Sequence, residues 1–389
     1  MNRVRALAAV TGASVFIVVA AVTASAQTGA ESVSLEASAT KIVFGDDVRL
    51  SGATTPATGD QTIEIRDSSD TVVGTATTGA AGNFSLTVSP DGSETYRAVW
   101  ASATSEPVTV RVRALVTVRM TEARLFDDVV VRGTVEPARP GRRVDIALIA
   151  NGRVVLERRI EMGSAGGFST RLRVMTPGTI RARASFATDD LLRGTAVTSG
   201  DTTPLPSLRS GSRGVFVGLL EDRLVELDYR LAGASDGQYD FRTADAVVAF
   251  HKVQRMSRVF SVNSSTWRAL ADPIRPRPER DWRGLYIEVD QTRQVLYTVR
   301  DGEVTNILHV STGANGATRD GSFSVYRKLA GYSANRLYYP SYFDGLRALH
   351  GWTEVPTYPA SHGCVRIPYW NAIWTYRQAD FGTRVVIYH

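Results

Sequence analysis

The stretch ALHGWTEVPTYPASHGCVRIP, Ala348 to Pro368, holds Cys364, the one cysteine of a 389-residue chain, with His362 two positions before it and His350 fourteen before it. A single thiol cannot close an internal disulfide, so it is either buried and inert or kept for its reactivity. A free thiol of pKa about 8.5 is only a few per cent thiolate at neutral pH, so a nucleophilic role needs a base or a cation beside it. If the segment is extended, His362 points to the same side as Cys364. His350 reaches the sulfur if the chain doubles back, and Gly351, Pro356 and Pro359 are turn formers placed for that return. An imidazolium in a partly desolvated pocket is expected to lower the thiol by about 2 units, each worth about 1.4 kcal/mol. On the residues alone, either histidine fits the role.

Around this stretch the pattern is that of strands. LYIEVD (Leu285–Asp290) and QVLYTV (Gln294–Val299) bracket a tight turn, a short helix is expected near Asn371 to Gln378, and RVVIY (Arg384–Tyr388) reads as a closing strand. Before it, DPIRPRPERDW (272–282) carries three prolines that hold the chain extended as a linker. From 213 to 271 the apolar spacing is helical: Val217, Leu220, Leu224 and Leu227 form one stripe, and Ala244, Val247, Val248 and Phe250 another. The Pro/Ser/Gly-rich run 201–212 reads as a second linker.

Residues 31–113 and 114–200 are two copies of one module. FGDDVRLSG (Phe44–Gly52) recurs as LFDDVVVRG (Leu125–Gly133), and GAAGNFSLTV (Gly79–Val88) as GSAGGFSTRLRV (Gly163–Val174), at offsets of 81 and 84 residues. Short runs of alternating polar and apolar residues between Gly, Asp, Asn and Pro predict about seven strands per copy. The first copy is acidic (net −5) and the second basic (net +5). The second copy's arginines fall on alternate positions and read as a solvated outer face, with contact to an anionic wall polymer as the other reading. The overall charge of +6 includes only three lysines and no lysine-arginine tract, which argues against a nucleic-acid partner. Residues 1–26, with Arg3 and Arg5, an apolar run from Ala6 to Val22 and Ala24-Ser25-Ala26, read as an export signal, or as an uncleaved anchor that would be the sole membrane contact. The expected location is exported: secreted, or in the cell wall or a periplasm-like space.

The motif His350-Gly351, nine residues, then Ser361-His362-Gly363-Cys364-Val365-Arg366 resembles the signature of the L,D-transpeptidases, the YkuD-like cysteine enzymes that cross-link bacterial peptidoglycan. The resemblance runs over roughly Leu285 to His389 and includes STGANGATRDGSFSV, YYPSYFDG and FGTRVVI; where the family has Thr-Pro-x-Gly, this chain has Thr318-Arg319-Asp320-Gly321. It implies a mostly β catalytic domain (283–389) in a multidomain, mainly β chain. It also implies Cys364 as nucleophile and His350 as its base, oriented by a carbonyl expected to be that of Gly351. His362 and Ser361 are implied as supports, and the Gly363 and Cys364 amides as oxyanion donors. Arg366 is expected to bind a substrate carboxylate or to form an ion pair beneath the loop, and Tyr342 to belong to an aromatic cover over the substrate or to pack in the core.

The implied partners are peptidoglycan stem peptides and carbapenem-type inhibitors, and the chemistry needs no metal or nucleotide. The repeats resemble bacterial Ig-like β-sandwiches. Residues 213–271 resemble a small peptidoglycan-binding module of three helices, departing from it at Asp240 and His251. The alternatives are an L,D-carboxypeptidase that trims tetrapeptide stems, another Cys-His hydrolase, or a non-catalytic wall-binding protein.

Overall fold

The computed structural model describes residues 30–389, so the export-signal reading falls outside the described residues. The chain divides into two compact units, one ending at Arg113 and one running from Ala114 to His389. The fold is mainly β, with several sheets and few helices.

In the first unit a four-stranded sheet built on Val48–Thr55 and a six-stranded sheet built on Glu94–Trp100 bury Leu50, Ile63, Ile65, Ala98 and Val110. The second unit opens with the corresponding pair of sheets, of four and five strands. The sequence repeat has a direct structural cause. Gly52 pairs with Phe84 across one ladder, and Gly133 pairs with Phe168 at the same place in the other. A Cβ at Gly52 would lie 1.9 Å from the Ser34 carbonyl oxygen, and one at Gly133 would lie 2.0 Å from that of Thr117. Only glycine admits the third strand at that distance.

Three helices follow: α1 (Val215–Glu226), α2 (Phe241–Val253) and α3 (Ser264–Ala271). Their two predicted stripes are buried. Both departures from the peptidoglycan-binding pattern have local physical roles. Asp240 is the N-cap of α2, accepting from the amides of Arg242 (2.7 Å) and Thr243 (3.3 Å). His251 is buried between the Val259 carbonyl (2.8 Å) and the Thr266 hydroxyl (3.0 Å), which ties α2 to the start of α3.

The helices share one apolar core with the residues on either side. Leu125 and Phe126 of the second sandwich and Tyr286, Val295, Tyr297 and Ile307 of the C-terminal sheet lie in the same cluster as Leu220, Phe250 and Trp267. Neither stretch expected to be a linker hangs free. Trp267 donates to the Pro206 carbonyl (2.8 Å), and Leu208 exchanges backbone bonds with Val262. The buried carboxylate of Glu288 accepts from the amides of Glu279 and Arg280 (2.8 Å each).

Strands of the C-terminal domain are numbered here from its start. A five-stranded sheet has the order β3-β2-β1-β9-β4, from β1 (Leu285–Asp290), β2 (Val295–Arg300), β3 (Glu303–His309), β4 (Gly321–Ser324) and β9 (Arg384–Tyr388). A four-stranded sheet has the order β5-β6-β7-β8, from β5 (Arg327–Lys328), β6 (Tyr338–Asp344), β7 (Arg347–Trp352) and β8 (Val365–Pro368). Helix α4 (Tyr369–Gln378) leads directly out of β8. Ile287, Val289, Leu296, Phe343, Leu349, Val365 and Ile367 form the core between the sheets.

Candidate active site

Strand alternation builds the site. β7 and β8 run parallel, with Leu349 opposite Val365 and His350 opposite Arg366. Leu349, Val365 and Ile367 enter the core, so the alternate positions Ala348, His350, Cys364 and Arg366 lie on the other face. Cys364 immediately precedes β8 and is diagonal to His350 on that face, a spacing within reach of an imidazole ring. The 353–360 loop makes the return that brings the two together.

His350 is buried, and its Nδ1 lies 2.9 Å from the Gly351 carbonyl. A carbonyl oxygen only accepts, so Nδ1 carries the proton and Nε2 has its lone pair free. Burial pushes the imidazole down to about 4, the Gly351 carbonyl opposing and the Arg366 cation adding to the drop. Burial also raises the half-buried Cys364 thiol above its ordinary value, against the Ala348 amide and the Arg347 and Arg366 cations, which favour the thiolate. The resting pair is therefore neutral thiol and neutral imidazole. This reverses the expectation of a thiol lowered by an imidazolium, because desolvation penalises both charged forms. The thiol points at the Leu346 carbonyl (3.7 Å).

Ser361 is buried; its hydroxyl donates to the Cys364 carbonyl (2.6 Å) and accepts from the Gly363 amide (3.0 Å). That bond occupies the Gly363 amide, which the sequence had suggested as an oxyanion donor. The Cys364 amide takes no acceptor among the described residues. Gly363 has φ +128, a conformation that side chains avoid, and a Cβ there would lie 3.0 Å from both the Ala317 carbonyl oxygen and Arg347 Nε. His362 is exposed, and its side chain makes no hydrogen bond among the described residues. Arg366 stacks over Trp352 (5.3 Å), and no acidic side chain pairs with it among the described residues. Tyr342 is nearly fully buried beneath the Arg327 guanidinium (3.8 Å), so it presents little surface to a substrate.

Sequence reasoning missed three contributors. Trp352 packs edge-on against His350 (5.6 Å), and its position two residues along a strand was the available signal. Arg347 donates to the Ala317 carbonyl (2.7 Å) and to Asp344 (3.0 Å), beside the cysteine loop. Thr318 accepts from the Gly313 amide (2.7 Å) and donates to the Gly363 carbonyl (2.9 Å). Gln291 holds that same loop at Thr318 and Asp320, so it is anchored without the family's proline.

The YkuD family model, L,D-transpeptidase catalytic domain, matches residues 284–387. The L,D-transpeptidase of Xylanimonas cellulosilytica DSM 15894 is 35% identical over 48% of this chain and 99% of its own, with TM-score 0.45. That of Stackebrandtia nassauensis is 25% identical over 48% and 98%, with TM-score 0.31. An L,D-transpeptidase of Mycobacterium tuberculosis H37Rv is 16% identical over 27% and 58%, with TM-score 0.26. No curated protein matched. The C-terminal domain is that of an acyltransferase or peptidase-type enzyme. The chain belongs to the L,D-transpeptidase family, with its YkuD catalytic domain at the C-terminus.

Proposed function

We propose that the protein is a peptidoglycan L,D-transpeptidase that joins third-position stem residues through a Cys364 thioester. The observation that carries this reading is the His350 tautomer: Nδ1–H is held by the Gly351 carbonyl, and Nε2 is free on the face it shares with Cys364. In the reaction, Nε2 takes the thiol proton as sulfur attacks the carbonyl that joins the L-centre of the third residue to the terminal D-alanine. The C–N bond breaks, the imidazolium protonates the departing D-alanine amine, and the stem remains as a thioester. A neighbouring stem's amine attacks the thioester and returns a proton through His350 to the sulfur. The Cys364 amide faces the developing oxyanion, and such a donor is typically worth about 3 kcal/mol. The Arg366 guanidinium, which pairs with no acidic side chain among the described residues, fits a substrate carboxylate.

The reading places the domain outside the cytoplasm, in the wall, where the preceding modules raise the local concentration of a polymeric substrate. The test is intact-mass analysis after exposure to a carbapenem: an adduct on the native protein and none on Cys364→Ala is expected, and an adduct of equal yield on the variant overturns it. Mass spectrometry of muropeptide products then separates cross-linked dimers from trimmed tripeptides, and tripeptides alone would replace the transpeptidase reading with a carboxypeptidase.

A further inference from the structure

The 353–360 loop joins the strand that carries His350 to Cys364, and the helical segment bonds its backbone directly through one side chain and indirectly, by way of His309, through another. Pro356 and Pro359 have no amide to donate, so the loop is secured through its carbonyls. The Val355 carbonyl accepts from His309 Nε2 (2.8 Å), and His309 Nδ1 accepts from Lys252 Nζ (2.5 Å) on α2. Lys252 is buried, and its other two protons go to the carbonyls of Gln294 (2.8 Å) and Val310 (3.0 Å). The Thr357 carbonyl accepts from Arg258 Nη1 (2.7 Å), in the segment after α2, while Nη2 of the same guanidinium reaches the Thr292 carbonyl (2.7 Å). The next carbonyl, of Tyr358, is held from within the catalytic domain by the Ser311 hydroxyl (2.7 Å).

The Lys252 contact also fixes the end of β3, whose extension supports the motif. Thr312, directly after Ser311, accepts from the amides of Ala360 and Ser361 (2.9 and 3.0 Å), and its own amide is held by Gln294 (2.7 Å). Arg258 thus reaches out of the helical segment to the loop that sets where Cys364 stands relative to His350, and Lys252 reaches it through His309.

We propose that Arg258 and Lys252 are positioning residues for the transferase reaction, and that the helical module is a working part of the catalytic domain as well as an adjacent one. This rests on the reading of Cys364 and His350 as the reacting pair. The residues act through the loop and touch no reacting atom. Misplacement of reacting groups by about 1 Å costs about a hundredfold, so a loosened loop lowers turnover more than substrate binding.

The experiment compares Arg258→Ala, Arg258→Lys, Lys252→Met and the native full chain. The readouts are kcat and KM on a soluble stem tetrapeptide, hydrogen exchange of peptides covering 353–363, and thermal melting. Arg258→Ala is expected to lose about ten- to a hundredfold in kcat with KM within about threefold. Exchange should rise in 353–363 but not in β1 or β9, and Arg258→Lys should recover part of the rate. An unchanged kcat in Arg258→Ala, or exchange that rises across the whole domain together with a fall in melting temperature, overturns the proposal. Arg258 is partly exposed at the loop, so its variants remain decisive if Lys252→Met fails to fold. A Cys364→Ala variant that still turns over the tetrapeptide would instead overturn the underlying reading, whatever Arg258 does.

Discussion

At the scale of the residue, burial bears on the proposed pairing of Cys364 with His350. With the imidazole held at about 4 and the thiol above its ordinary value, that reading starts from two neutral groups and moves the proton as the sulfur attacks. Protonation of His350 removes the base, so kcat/KM should hold as pH falls through 6 and decline only near about 4. A pH-rate profile checks this, and an acid limb between 6 and 7 would mean that burial does not depress the imidazole. The same shift bears on stability: the folded imidazole is depressed below its unfolded value, so the fold binds fewer protons than the unfolded chain between about 6.5 and about 4. Its contribution is complete above that window and lost as pH falls through it.

At the scale of the element, one glycine per sandwich lets three strands pack where a phenylalanine fills the ladder. Gly52→Ala and Gly133→Ala place a methyl about 2 Å from a carbonyl oxygen, in a strand that cannot shift without moving its pairings. Each is expected to cost at least about 1–3 kcal/mol. Because Gly52 lies in the first unit, Gly52→Ala should lower only that unit's unfolding transition and leave catalytic rate unchanged, read by calorimetry beside an activity assay. Gly133→Ala acts within the unit that contains the catalytic domain.

At the scale of the whole molecule, the shared core makes one truncation benign and another damaging. A chain beginning at Ala114 keeps every residue of the cluster that joins Leu125 and Phe126 to the helices and to β1–β3. A chain beginning at residue 213 strips Leu125, Phe126 and Leu208 from that cluster, along with the Arg223–Phe126 contact (5.1 Å) and the Arg173–Glu226 ion pair (2.5 Å). Burying a large apolar side chain is worth about 1.5–3 kcal/mol, so the shorter chain should lose several kcal/mol of stability. Melting curves of the two truncations test this, and equal melting temperatures would contradict it. Wall retention is therefore best tested by removing residues 30–113.

The amino-acid sequence by itself determined the repeat, the strand and helix types and the family motif around Cys364. Each of these is written in local periodicity or in a short motif whose residue types are set by one chemistry. The tertiary structure decided what depends on burial and on partners distant in the chain. It set the protonation of the reacting pair and engaged the Gly363 amide with Ser361. It covered Tyr342 with Arg327 and bonded Lys252 to His309, 57 residues away. Desolvation and long-range hydrogen bonding exist only once the chain has closed on itself, and no spacing along the sequence encodes them.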